Sequence, residues 1–228
     1  MCLGKISRYD MVGLSSTLGL PERFFVTREK GEEAYRLLRE RLRKMPERCA
    51  LVLVFPAKQV VDASFADESL MRLGAELSSG EFGERVVLLE GLTEDSVHNL
   101  EAVIRLRRAK QVFLLIEPGG GWRHVGPLER SLAEAVALVA RRRRITAPEL
   151  ARELELALNT ANNRLKRLHS LRLLWREHEV SEKGLRYIYN FWQWETGNED
   201  RDDAGEKSLK DSENRGKEIS DGYPESVQ

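Results

Sequence analysis

A chain of 228 residues is long enough for two small domains, and its 41% apolar and 32% charged content suits a globular protein. Its 37 cations balance 37 anions, and its two cysteines, Cys2 and Cys49, are too few and too far apart for a disulfide framework or a metal spacing. No run approaches the roughly 20 apolar residues that span a bilayer, and no cationic start leads into an apolar core, so the expectation is a soluble, cytoplasmic protein without a membrane partner.

Residues 1–20 hold glycine and serine with little pattern and predict an irregular lead-in. Phe24-Phe25-Val26 predicts a short strand, and Thr27 is placed to cap a charged helix to residue 44, with Ala34, Leu37, Leu38 and Leu42 along it. Residues 49–55 are continuously apolar, the mark of a strand buried on both faces. Phe65, Leu70, Leu73 and Leu77 recur at helical spacing, residues 85–89 read as another apolar strand, and Thr93 caps a helix striped by Val97, Leu100 and Ile104. Residues 111–116 close the series. Strands alternating with helices predict an α/β domain with parallel pairings over residues 21–118.

Within this half, Ser64-Phe65-Ala66-Asp67-Glu68 follows an apolar strand and enters a helix, and a helix containing Thr27-Arg28-Glu29 and Ala34-Tyr35-Arg36-Leu37-Leu38 precedes it. With the strand–helix order, these strings make residues 22–117 resemble the STAS-like domains of unknown function. Those are relatives of the domain shared by anion transporters and anti-sigma-factor antagonists. The resemblance implies a small sheet with flanking helices that receives a signal, with a signalling protein as partner. In the antagonists the strand-to-helix turn carries a serine phosphorylated by a partner kinase, and Ser64, with Asp62 before it, falls at that position. A phosphate there would meet the free N–H groups and dipole of a helix N-terminus. Ser64 serves equally as a plain N-cap with Asp67 as its partner in the first turn.

Gly119, Gly120 and Gly121 then punctuate the chain, and residues 119–126 predict a hinge. With Arg123 and His124 this loop could hold an anion, though it lacks the lysine of a P-loop and the spacing of a dinucleotide fingerprint. The histidines His98, His124, His169 and His178 include no i, i+4 pair, so no metal site is expected. No nucleophile-and-base order stands out either. Neither an enzyme nor a cofactor is expected.

Gly126-Pro127 opens a helix with Leu132, Ala135, Val136 and Val139 inward, running into four consecutive arginines at 141–144. Thr146-Ala147-Pro148-Glu149 is a capping box with proline in the first turn. After a short turn, Asn159 is placed to cap a helix with Ala161, Leu165 and Leu168 on one side and Asn159, Asn163, Lys166, Arg167 and Ser170 on the other. Two strand-like runs at 173–179 and 185–191 flank a five-residue connection containing Lys183. Residues 127–194 resemble the winged helix-turn-helix domains of small bacterial and archaeal transcription regulators. Glu155 and Arg172 stand where those domains carry turn glycines, which predicts a left-handed backbone costing on the order of 1 kcal/mol at each. Between residues 141 and 176, ten cations face three glutamates, whereas residues 195–228 hold eleven acids against five cations. The first is the footprint of a nucleic-acid partner; the second predicts a disordered acidic tail.

These features together predict a regulator with an α/β STAS-like domain and a C-terminal winged helix that binds double-stranded DNA, as a homodimer on a pseudo-palindrome. Asn163 and Arg167 would read bases, supported by Asn159, Thr160 and Ser170. Arg143, Arg144, Arg164 and Lys166 would hold phosphates, with Lys183 or Arg186 at the wing. Two alternatives stay open: a partner-switching adaptor whose winged helix binds protein, and a nucleotide-sensing regulator that uses the glycine loop.

Overall fold

The computed structural model describes residues 5–21, 24–56, 58–181 and 184–193. In chain order, β1 (Ile6–Asp10) runs into α1 (Met11–Thr17), and β2 (Phe24–Phe25) leads to α2 (Arg28–Lys44). β3 (Ala50–Val54) and β4 (Val60–Val61) precede α3 (Ala63–Ala66), a π-helical turn (Asp67–Met71) and α4 (Arg72–Ser79). β5 (Val86–Glu90), α5 (Glu94–Leu106), β6 (Phe113–Ile116) and β7 (Trp122–Val125) follow. The main sheet has the order β1-β3-β5-β6-β7; its first four strands are parallel and β7 closes an antiparallel edge. The fold is mixed α/β, with a parallel-dominated sheet and flanking helices.

The strands are apolar throughout because both faces are covered. Leu51, Leu53, Val87, Leu89, Phe113 and Leu115 point to one face, where they pack with Leu14, Leu38, Leu42, Phe65, Leu73 and Leu100 of the helices. Strand order follows chain order, so right-handed crossovers put every connecting helix on that same face. Thr27 and Thr93 cap α2 and α5 through their side-chain oxygens, as their positions predict.

Two expectations are corrected here. The lead-in is not irregular: Ile6 to Asp10 pair residue for residue with β3, and the Asp10 side chain accepts the Val12 N–H to start α1. Pairing with a distant strand leaves no local signature in so short a run. The glycine segment is not a hinge either. It forms a tight 3-10 turn joining β6 to β7 as a hairpin, and Trp122 to Val125 pair with Ile116 to Phe113. Phe24 and Phe25 do form a strand, but among the described residues they pair with Val60 and Val61 alone, in a separate two-stranded sheet.

The rest of the chain comprises α6 (Arg130–Arg142), β8 (Arg144–Thr146), α7 (Ala147–Glu153), α8 (Leu158–Ser170), β9 (Leu174–Ser181) and β10 (Gly184–Phe191). The three strands form an antiparallel sheet of order β8-β10-β9. This part supplies the cover for the second face of the main sheet. Ala50, Val52, Leu88 and Leu114 belong to one buried cluster with Leu132, Val136, Val139, Leu165, Leu168, Tyr189 and Phe191. Trp122 of β7 meets Phe191 of β10 with ring centroids 4.9 Å apart.

Candidate nucleic-acid interface

The capping box fixes how α7 enters: Glu149 accepts the Thr146 N–H at 2.7 Å and its hydroxyl at 2.6 Å. Those bonds hold the Glu149 carboxyl below its ordinary pKa. α7 ends in a turn where Glu155 has φ 51°, and α8 is followed by Arg172 at φ 63°, so both non-glycine turn residues take the left-handed backbone predicted for them. Asn159 is not the cap of α8. Ala157 holds the cap position without a side-chain bond, which leaves the Asn159 amide in the first turn and exposed.

α8 buries Ala161, Leu165 and Leu168 completely and turns Asn159, Thr160, Asn163, Lys166, Arg167 and Ser170 to solvent. Ser170 uses its hydroxyl on the Arg167 carbonyl at 2.8 Å. Lys166 and Arg167 have no carboxylate in ion-pair range among the described residues. Arg164, expected to hold a phosphate, lies on the flank of α8, 19% exposed, with Glu134 of α6 at 3.6 Å. Counted from the buried stripe at 100° per residue, position 164 falls beside that stripe rather than opposite it.

Around this helix the other cations divide. Arg143 sits between α6 and β8 with φ 69° and ψ −41°; its carbonyl accepts the Phe191 N–H at 2.9 Å, and its side chain is exposed. Arg144 lies 3.5 Å from Glu179 and 3.8 Å from Glu177, and Arg186 lies 3.8 Å from Glu149. Both are more than half exposed, where such pairs are weak enough to exchange for a phosphate. Lys183 and the acidic segment from residue 195 lie outside the described residues. Arg176, which no local sequence pattern marks, stacks its guanidinium 4.5 Å from the Tyr187 ring across the hairpin. Only the strand register could have shown that pair.

The far end of α8 is braced against the main sheet. His169 Nε2 lies 3.4 Å from Glu84 just before β5, and Arg172 Nε donates to the Leu77 carbonyl at the end of α4 at 3.0 Å. Burial pushes the His169 imidazole below 6.5, and the charge of Arg176 adds to this against the pull of Glu84. Burial opposes the Glu84 carboxylate, yet Arg48 at 2.5 Å holds its pKa below the ordinary value.

The other two candidate sites come out differently. In the glycine turn, the Glu117 N–H donates to the Gly121 carbonyl at 2.9 Å and the Gly120 N–H to the Glu117 carbonyl at 3.1 Å. Arg123 is shared by Glu94 at 2.5 Å and Glu117 at 3.3 Å, and burial lowers the pKa of His124. An anion there would compete with two glutamates for the one guanidinium. At the α3 entrance the cap is Asp62, not Ser64: Asp62 accepts the Phe65 N–H at 2.6 Å and the Ser64 hydroxyl at 3.0 Å. Asp67 is no partner to that cap. The π-helical turn directs Asp67 to Arg107, at 2.8 Å, and Glu68 to Arg28 and Arg72.

Compared with known proteins, the chain matches no family model and no curated protein.

Proposed function

We propose that this chain is a transcription regulator that contacts duplex DNA through α8, with the α/β part as a STAS-like signal-receiving domain. The observation that carries the reading is the outward face of α8. Two amides and two cations stand exposed there, with Lys166 and Arg167 unpaired among the described residues. Amides suit adenine edges, and arginine and lysine suit guanine edges or phosphates. The order helix, strand, helix, helix, hairpin, with β8 beside β10, supports a winged helix in which α8 enters the major groove. Arg143, Arg144 and Arg186 would flank it as phosphate contacts.

Titration of full-length protein with random-sequence duplex over a range of salt tests this. Log affinity is expected to fall with log salt at a slope of roughly −0.9 per phosphate contact. A flat response, or no binding at low salt, overturns the reading. A second reading, a protein-binding adaptor, is favoured by one feature. Val180 and Leu185 face each other across the hairpin and are 81% and 55% exposed, an apolar pair that phosphate chemistry does not use.

A further inference from the structure

We infer that the acidic stretch at residues 199–206 of this chain docks on the cationic face of α8 and competes there with nucleic acid. The inference rests on the DNA-contacting reading for its consequence, while the docking itself is an ion-pairing property of the chain.

Four arginines around α8 already have a carboxylate near them: Arg142 has Glu153, Arg144 has Glu177 and Glu179, Arg164 has Glu134 and Arg186 has Glu149. Lys166 and Arg167 are the exception on α8 itself. Eleven of the 34 residues from 195 to 228 are acidic and five are cationic, and Glu199, Asp200, Asp202, Asp203 and Glu206 crowd five acids around one arginine, Arg201. Such carboxylates form the charge-assisted bonds to lysine and arginine that a phosphate would form.

The geometry brings this stretch within reach. Phe191, the last residue of β10, pairs with Leu174, and Leu174 follows Ser170 at the end of α8 by four residues. The chain therefore leaves the sheet beside the C-terminal end of α8. With 13 residues, α8 is about 20 Å long at 1.5 Å per residue. An extended chain covers about 3.3–3.6 Å per residue, so about six residues traverse that length. Glu199 stands six residues beyond Gln193, the last residue described. Tethering at so short a span gives an effective concentration on the order of millimolar, enough for pairing that is weak between free molecules.

The test uses the full chain, wild type against Glu199→Gln/Asp200→Asn/Asp202→Asn/Asp203→Asn/Glu206→Gln. The first measurement is the rate at which an amine-reactive acylating reagent modifies Lys166, with exposed Lys110 as internal reference. Lys166 is expected to react several-fold more slowly in the wild type at low salt, and equally in both proteins at high salt, where the pairing is screened. The second is affinity for duplex DNA, expected to be several-fold tighter for the neutralised variant at low salt and the same at high salt. Equal Lys166 reactivity at low salt overturns the docking whether or not DNA binds. Protection of Lys166 with no duplex bound by either protein overturns the competition and the DNA reading, leaving the docking standing.

Discussion

Asn163 and Arg167 point away from the stripe of Ala161, Leu165 and Leu168, so their side chains contribute little to folding. Arg167→Ala and Asn163→Ala are expected to leave thermal stability unchanged and to relax base preference by about 1–3 kcal/mol per lost bidentate contact, read by selection from random duplexes. Arg143→Ala should instead weaken all sequences alike. Arg164→Ala should likewise leave base preference intact, since its side chain lies beside the buried stripe with Glu134 at 3.6 Å. His169 makes a pH prediction. The unfolded chain takes up a proton at this residue near pH 6.5, and the folded chain only at lower pH, because burial lowers the folded value. Its contribution to stability is therefore full above 6.5 and declines as pH falls below it. The depressed Glu84 and Glu149 lose theirs separately, below about 4.5. Denaturant midpoints measured from pH 8 to 5 should fall in the wild type and stay flatter in His169→Gln; parallel curves would show that His169 titrates as it does in the unfolded chain. At this scale the outward set on α8 was legible, since helical periodicity alone sorts faces. The bracing by His169 and Arg172 was not, because their partners lie 85 and 95 residues away in sequence.

Among the elements, the turns that close α7 and follow α8 make a matched pair. Glu155 and Arg172 both carry positive φ, but only Arg172 also bonds a helix-end carbonyl. Glu155→Gly is expected to be neutral or slightly stabilising, as relief of left-handed strain offsets the added backbone entropy. Arg172→Gly is expected to destabilise by about 1–3 kcal/mol, leaving the Leu77 carbonyl without that bond. Equal effects in chemical denaturation would deny the bond any role. α2 offers a test of the opposite kind. Gly31→Ala should gain about 1 kcal/mol of helix propensity on an open surface. Here a methyl would sit 2.9 Å from the Phe65 carbonyl oxygen, so the substitution is expected to lower the melting temperature. The capping box, the threonine caps and the apolar strands were readable because each is a local pattern. β1, β7 and β8 have no such pattern because they are short strands that exist through their partners. The π-helical turn is hidden because Phe65, Ser69, Leu70, Leu73 and Leu77 satisfy ordinary helical spacing.

On the scale of the whole molecule, the sheet and the C-terminal elements bury one cluster in common, so they are expected to unfold together. Calorimetry of the full chain should show a single transition, and a fragment starting at residue 127 should expose Leu132, Val136 and Val139 and bind hydrophobic dyes. Two well-separated transitions would contradict a shared cluster. The α/β class was legible from the alternation of apolar runs and amphipathic helices. That the second face of the sheet is closed by the C-terminal half was not, since a strand apolar on both faces does not say what covers it. This closure has a mechanical consequence. With Trp122 seated against Phe191 and Arg172 tied to α4, the joint between sheet and α8 has little slack. A displacement imposed on the sheet by a signal would reach α8 as the movement of a stiff lever. In a two-fold dimer, the distance between the two α8 helices would then become the quantity that a signal sets.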